Sequence, residues 1–414
     1  MVDARRSLRE CLSLFALLII IVAGCAVTDV TPHVATVGTY EVWAIDQSDS
    51  SKDGGGTLYI YDGAALAANA KTAKAETINL GGIFAEACKG TGSYPKRPHM
   101  ILFTKDGQYG IISYVASGHV VVVEAASRTP IGCVSLGKNA HAAFPTADMK
   151  MAIGANIAEK KLVRIWTDYA RKQFIIKPEQ DVVTLSTLEP GLPDASPICP
   201  ITDHSSRYVF VTPRGGGLAV YDITATPMAL KGTLSPTVVE PAGCGGVQIG
   251  ATMYLNSGGG WPVMPLNHEV YAFSLNALPK VPAPTRIGGR DGGDAHGMVA
   301  VKNRYLWSGD RHLNAIDVYD TSEANRRVGT ITLVGDLSKD PAPDLMDAAP
   351  DGRYVFVTLR GLSPLTGNHK DVNNAVGSTP GVGVITVEGD GRAGTLVGIA
   401  SINGDPHGIG VRKK

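Results

Sequence analysis

Four short strand patterns follow one another between residues 98 and 136, and they constrain the fold more than any other feature of the chain. The runs MILFT, YGIISYV, HVVVVEA and PIGCVSL are rich in Val, Ile, Tyr and Phe, which favour a pleated, half-buried surface. The turns KDGQ and ASG separate the first three runs. The stretch therefore predicts one sheet of four antiparallel strands joined by tight loops.

The same pattern recurs along the chain at intervals of roughly 40 to 60 residues, the spacing of propeller blades. One sheet of this kind cannot bury both faces alone, so neighbouring copies must cover it. Asp-Gly turns followed by Tyr occur at 106–109 and 351–354. Inner strands begin near seven residues: His99, His141, Cys199, Cys244, His296, Asp344 and His407. We therefore predict an all-β fold, a seven-bladed β-propeller of four-stranded antiparallel blades.

The two ends of the chain predict how the ring closes. After His407 only GIGVRKK remains, which is enough for one strand, whereas TYEVWAI, TLYIYDG and AETINL near the start supply three. One C-terminal strand and three N-terminal strands complete a seventh blade and remove the exposed sheet edges. We predict that residues 39–414 form the propeller.

The N-terminal segment has the pattern of an export signal. A basic head precedes the apolar run LSLFALLIIIVAG, which is too short for a lasting membrane span. The sequence VAGC resembles the processing box of bacterial lipoproteins, and by that resemblance residues 1–24 are a lipoprotein signal peptide and Cys25 is lipidated. Residues 25–38 are then a tether. By resemblance to known lipoproteins, Ala26 after the lipidated cysteine implies sorting to the outer membrane, where the lipid anchor inserts into the bilayer and the propeller faces the periplasm. The alternative is an ordinary cleaved signal with a free cysteine nearby.

Four cysteines remain for pairing once the cysteine in the signal and Cys25 are set aside, and four cysteines allow three pairings. The most local choice joins neighbouring elements: Cys88 with Cys133, and Cys199 with Cys244. In an exported chain such pairs are typical stabilising disulfides.

The antiparallel order of the strands predicts which residues share one end of the propeller. The start of each inner strand lies at the same end as the loop between the second and third strands, so the seven strand starts surround one channel mouth. Imidazole and thiolate groups are good ligands for transition metals and haem. We therefore consider a metal site formed by His99, His141, His296 and His407, with Cys199 and Cys244. The alternative is that the histidines bind loop carbonyls and line a wet tunnel.

The loops on the same face carry candidate ligand-binding residues: His119, Arg214, Trp261, Arg311, His312 and Arg360. The three arginines occupy equivalent places in three blades, so they are suited to clamp an anion such as a carboxylate. The alternative is that they form solvated salt bridges at the rim. The longest insertion, residues 361–381, also falls on this face.

Several other chemistries find no support in the sequence. The haem-attachment pattern CxxCH, the nucleophile pattern GxSxG and a phosphate-binding glycine loop before a helix are all missing. We therefore assign no catalytic residues. The net charge is zero, which gives no electrostatic basis for binding nucleic acid.

The stretch PHMILFTKDGQYGIISYVASGHVVVVEAASRTPIG resembles the repeat of the YVTN-type seven-bladed propellers, as do AHGMVAVKNRYLWSGDRHLNAIDVYDT and DAAPDGRYVFVTLRG. The chain resembles three other groups of propellers in the same way. These are the haem-binding propellers of cytochrome-type nitrite reductases, the histidine-ringed propeller of nitrous-oxide reductase and the lactonase-type propellers. Cys199, Cys244 and Asp344 take ring positions here, so a seven-histidine ring like that of nitrous-oxide reductase is not available.

Three functions follow as hypotheses. The first is an exported, lipid-anchored propeller that binds a protein partner or small ligand on its His/Arg-rich channel face. The second is a metal- or haem-linked periplasmic redox propeller. The third, ranked last, is a lactonase-type hydrolase, which needs a carboxylate-lined calcium site although the ring holds one carboxylate.

Overall fold

The computed structural model describes residues 39–48, 55–259 and 266–414 of the chain. The predicted signal peptide, the tether and the lipidation site Cys25 lie outside these residues, as does Trp261. Within the described ranges, no helix is both long and apolar enough to span a membrane. The helices there are short connections: α1 (Gly63–Ala68), α2 (Ile83–Ala87) and α3 (Pro178–Asp181), with 3-10 turns at Lys89–Thr91, Leu185–Leu188, Leu275–Ala277 and Gly389–Gly391.

Antiparallel strands form the successive blades in chain order. The N-terminal strands are β1 (Tyr40–Asp46), β2 (Thr57–Asp62) and β3 (Ala75–Asn79). The second blade contains β4 (Pro98–Phe103), β5 (Tyr109–Tyr114), β6 (His119–Glu124) and β7 (Thr129–Ser135). The third contains β8 (Ala140–Pro145), β9 (Met151–Asn156) and β10 (Lys161–Asp168), with both β11 (Gln173–Ile175) and β12 (Val182–Thr184) paired to β10.

The remaining blades repeat the four-stranded plan. The fourth contains β13 (Pro197–Thr202), β14 (Tyr208–Pro213), β15 (Leu218–Asp222) and β16 (Ala229–Leu234). The fifth contains β17 (Gly246–Ile249), β18 (Thr252–Gly259), β19 (Leu266–Ser274) and β20 (Thr285–Asp291). The sixth contains β21 (Ala295–Val301), β22 (Tyr305–Asp310), β23 (Ala315–Asp320) and β24 (Arg326–Thr332). The seventh contains β25 (Pro343–Ala348), β26 (Tyr354–Leu359), β27 (Gly381–Glu388) and β28 (Ala393–Ser401), and the last strand is β29 (Pro406–Lys413).

The ring closes as predicted, with one C-terminal strand added to three N-terminal strands. β29 pairs antiparallel with β1, so that Val42 lies opposite Val411 and Tyr40 opposite Lys413. The inner strands contact one another in sequence, and β29 contacts both β25 and β4. The prediction of a seven-bladed β-propeller closed by the C-terminal strand is therefore confirmed for the described residues.

The Asp-Gly turn of the second blade shows why the repeat folds as hairpins. Asp106 Oδ1 accepts hydrogen bonds from Thr104 Oγ1 at 2.7 Å and from the backbone N–H of Gln108 at 3.0 Å. Gly107 has a φ of +70°, a left-handed conformation that glycine adopts without the steric cost of a Cβ atom. The turn is therefore fixed by contacts between neighbouring residues, and this is why its sequence predicts a hairpin.

The core lies between the faces of neighbouring blades. Trp43 of β1 packs edge-on against Phe103 of β4, with ring centroids 5.1 Å apart. Trp307 of the sixth blade and Ile385 of the seventh share another buried cluster. Each blade therefore needs its neighbours, and the channel face is held in place by the whole ring.

Candidate functional site

The channel-mouth residues lie at irregularities of the inner strands. In β4 the pairing register shifts between Pro98 and Met100, which leaves His99 without a partner on β5. Similar shifts occur around four further residues: His141, His296, Asp344 and His407. A β-bulge changes the direction of a side chain. The repeated bulges therefore give these five residues equivalent places around one channel mouth.

The prediction for the fourth blade was wrong by one residue. The register shift there lies between Pro197 and Cys199, so Ile198 and not Cys199 takes the place equivalent to His99. Ile198 lines the cavity described below, whereas Cys199 is not among its lining residues. Because side chains alternate along a strand, a slip of one residue moves a side chain to the other face.

One predicted disulfide forms and the other does not. Cys88 and Cys133 are joined. Cys199 and Cys244 are free thiols, with their sulfur atoms 2.9 Å apart, well beyond a covalent S–S bond of about 2.05 Å. The pKa of Cys244 is lowered well below the usual value, chiefly by the hydrogen bond from Cys199, with further contributions from His296 and His141.

Asp344 is the centre of a buried charged cluster. Its Oδ1 lies 2.9 Å from His296 Nε2, and its Oδ2 lies 2.6 Å from Arg360 Nη1 and 3.6 Å from His407 Nε2. Burial alone would raise the pKa of Asp344, but the Arg360 guanidinium and the protonated His296 hold it well below its usual range. Asp344 is therefore a carboxylate.

The same cluster affects the histidines differently. For His296, burial and Arg311 favour the neutral form, but Asp344 and Cys244 outweigh them and raise its pKa to about 9. Burial lowers the pKa of His407 well below its usual value, and Asp344 does not compensate. His407 is therefore neutral at pH 7.

The hydrogen bonds of the neighbouring imidazoles fix their tautomers. Gln47 donates its amide N–H groups to Asp405 and Thr366, so its Oε1 accepts from His99 Nδ1 at 3.2 Å. The Nε2 of His99 is then an acceptor, and it lies 3.2 Å from His141 Nε2, which must donate. His407 Nδ1 donates to the backbone carbonyl of His99 at 3.0 Å, so its Nε2 is an acceptor as well.

A cavity of about 360 Å³ opens above this cluster. His141, Cys244 and His296 line it together with Arg214 and Arg311, and the insertion contributes residues 366–369 and Asn374. Several buried polar atoms of its lining have no hydrogen-bond partner in the structure: Asn139 Oδ1, His141 Nδ1, His296 Nε2 and Arg311 Nη1. The cavity can therefore offer both donors and acceptors to a polar ligand.

The three predicted arginines have different environments. Arg360 is fully buried, and its guanidinium binds Asp344, Asp405 and the backbone carbonyl of Thr366. Four of its five N–H groups are therefore used within the protein, and Arg360 is not among the residues that line the cavity, so its role in the structure is to position Asp344. Arg311 donates from Nε to Asp294 Oδ2 at 2.7 Å, and Arg214 binds Asp194 in the same way; both line the cavity.

Of the predicted ligand-binding residues that the structure describes, His119 and His312 are not brought to the cavity. His119 is buried among hydroxyl groups, with Ser117 Oγ 2.9 Å from Nδ1 and Thr91 Oγ1 2.8 Å from Nε2. It lies beside the Cys88–Cys133 disulfide. His312 is exposed and is not among the residues that line the cavity.

The sequence contained a signal for the acidic partners that was missed. Asp294 and Asp405 each precede a channel-mouth histidine by two residues, and each binds the arginine that follows a second strand. The repeated Asp-x-His pattern, read with these arginines, predicts the ion pairs. Asn139 and Asn374 also line the cavity, but no repeated sequence pattern around them predicts that position.

Comparison with known proteins supports the fold. No family model matches the chain, and no curated protein matches it either. Solved structures do match it across nearly its whole length. The periplasmic gluconolactonase PpgL of Pseudomonas aeruginosa has a TM-score of 0.57 and 13% identity, covering 90% of this chain and 99% of that one.

Two further structures are similar to the same extent. A protein from Lactobacillus plantarum has a TM-score of 0.61 and 11% identity, covering 90% of this chain and 100% of that one. A functionally unknown protein from Desulfotomaculum acetoxidans has a TM-score of 0.61 and 11% identity, covering 91% and 99%. At these identities the likeness shows the propeller fold alone.

Proposed function

We propose that this chain is a binding propeller that takes a small anionic molecule, such as a sugar acid, into the cavity at its channel mouth. The observation that carries this proposal is Arg311, a cavity-lining guanidinium that is 5% exposed and keeps Nη1 without a hydrogen-bond partner. A buried guanidinium with an unused N–H group suits a carboxylate or a phosphate.

The neighbouring groups support an oxygen-rich ligand. Arg214 brings a second positive charge to the cavity, and Asn139 Oδ1 and His141 Nδ1 are acceptors suited to ligand hydroxyl groups. Asp294, the acidic group of the lining, is bound by Arg311 and Asn374. A small acid bearing hydroxyl groups therefore matches the lining better than an apolar ligand does.

The proposal is tested by isothermal titration calorimetry with gluconate and 6-phosphogluconate. Arg311→Ala should weaken binding at least about tenfold, the value of one charge-assisted hydrogen bond. Arg353→Ala is the matched control, because Arg353 lies in the exposed turn at the other end of the seventh blade. Circular dichroism verifies that each variant folds. Equal affinities in both variants, or no heat of binding with the wild type, would contradict the proposal.

We also propose that the chain is an exported lipoprotein with YVTN-type repeats. The VAGC sequence at residues 22–25 and the apolar run before it support this anchoring, and the repeat sequences support the family. The expectation is that a bacterial host labels the chain with radioactive palmitate and that Cys25→Ser abolishes the label. Cys199→Ser should leave the label unchanged.

Lactone hydrolysis is a second candidate, favoured by the likeness to a structure named as a periplasmic gluconolactonase and by the arginines in the cavity. The measurement is the pH-stat rate of glucono-δ-lactone hydrolysis. A rate that exceeds the spontaneous one and falls with Arg311→Ala supports it, whereas a rate equal to the spontaneous one excludes it.

A further inference from the structure

The geometry points to a site for a divalent transition-metal ion formed by His296, Asp344 and His407, beside the cavity that His296 lines. The inference deepens the proposed function, since His296 also lines the cavity, and it rests on that function only for what the ion would do there. Asp344 was not among the metal ligands that the sequence predicted, whereas His99 and His141 were.

The donor atoms of these three residues are close enough to share one ion. One nitrogen of each imidazole and one carboxylate oxygen all lie within 4.8 Å of one another. The three side chains are almost fully buried, with exposures of 7% for His296, 0% for Asp344 and 1% for His407. Two imidazoles and one carboxylate are a known donor set for transition metals that keep open coordination positions.

The proton positions leave room for a cation between the donors. His407 uses its Nδ1–H for the carbonyl of His99, so its Nε2 lone pair faces Asp344 Oδ2 at 3.6 Å with no proton between them. His296 Nε2 and Asp344 Oδ1 lie 2.9 Å apart, yet neither has a hydrogen-bond partner of acceptable geometry. A metal ion bound between these atoms would remove the repulsion between the two facing acceptors and would give the two unsatisfied atoms a partner.

The surrounding charges also favour a cation. The guanidinium groups of Arg311 and Arg360 face the carboxylates of Asp294, Asp344 and Asp405. Two positive and three negative groups leave one negative charge in a buried site when the imidazoles are neutral. A proton on His296 balances that charge in the ion-free site, and a divalent ion that takes the place of this proton leaves the cluster with one positive charge.

Asp344 and His407 also make hydrogen bonds to residues outside the proposed site, and such bonds orient metal ligands. Arg360 holds Asp344 Oδ2 at 2.6 Å and is itself held by Asp405, while the carbonyl of His99 holds the ring of His407. Such outer contacts fix the tautomer and the direction of each ligand. The mixture of imidazole and carboxylate favours ions such as Zn²⁺, Co²⁺ or Fe²⁺ over Ca²⁺ and Mg²⁺, which prefer oxygen ligands.

The test uses the full chain, stripped with a chelator, dialysed and titrated with Co²⁺. We expect one equivalent to bind, with visible absorption bands and a metal content near one by mass spectrometry. His296→Gln and His407→Gln should each weaken binding at least 100-fold, whereas His312→Gln, which removes an exposed imidazole, should not.

Two measurements keep the outcome decisive. Circular dichroism shows whether each variant folds, and Co²⁺ should raise the melting temperature of the wild type but not of a folded His407→Gln variant. A wild type that binds no stoichiometric Co²⁺, or His296 and His407 variants that bind it like His312→Gln, overturns the metal site. Titrating gluconate in the presence of chelator separates the proposals, because anion binding without metal binding overturns only the ion.

Discussion

Asp405→Asn is the most informative single change, because Asp405 connects the closing strand to the channel mouth. Its two oxygens accept from Arg360 Nε and Nη2, from Gln47 Nε2 and from the backbone N–H of Leu365, at distances of 2.7 to 2.9 Å. Asparagine keeps one of these oxygens and places an N–H₂ group where the other accepted. Arg360 is fully buried, so its charge loses half of its compensation.

The expected cost is about 3–5 kcal/mol in the free energy of unfolding, the range for removing one partner of a buried ion pair. Individual buried donors left unsatisfied cost about 1–3 kcal/mol each, and they do not add fully because they share one network. The assay is urea unfolding followed by tryptophan fluorescence, since Trp43 and Trp307 are fully buried.

The control is Lys414→Met, which removes an ion pair at the other end of the same closing strand. Lys414 Nζ lies 2.9 Å from Asp62, with about a third of each side chain exposed, so its loss should cost less than about 1 kcal/mol. Equal costs for the two variants would refute the reasoning, because burial would then have no influence on the strength of these contacts.

Other predictions concern pH, the disulfide and the free thiols. Burial raises the pKa of Asp347 from 3.8 to about 6, so its contribution to stability is full below pH 3.8 and is lost as the pH rises through 6. Its two oxygens accept the backbone N–H groups of Ala348 and Val411, so Asp347→Asn loses one acceptor at every pH. The change also removes the titration, so the free energy of unfolding should fall by about 2 kcal/mol less between pH 4 and pH 8 in the variant than in the wild type, as urea titrations at the two pH values would show. Replacing both Cys88 and Cys133 with alanine should cost about 2–4 kcal/mol, since the disulfide closes a loop between residues 45 apart; an unchanged urea midpoint would contradict this. Cys244 lines the cavity and Cys199 does not, so iodoacetamide should modify Cys244 first in a peptide mass map, and equal labelling would count against the cavity.

Local chemistry explains why the architecture could be predicted. The Asp-Gly turn at residues 106–107 and the alternating apolar runs act between near neighbours, and their repetition fixed the number of blades. The same counting predicted that β29 would pair with β1, and the proximity of chain segments suggested the Cys88–Cys133 disulfide. The sequence also indicated that His99, His141, His296 and His407 would face one channel mouth.

The site itself depended on contacts that only the tertiary structure makes. The bulge in β13 moves Ile198 into the place predicted for Cys199, and a bulge has no reliable local signal because it adds one residue to one strand. Arg360 has its partners in Asp344 and Asp405, which come from different strands, so its neighbours in sequence do not show that it is occupied. The sequence by itself determined the strands and the ring, because these follow from local periodicity. The folded ring decided which atoms meet at the channel mouth, because ångström-scale distances there depend on how seven blades pack together.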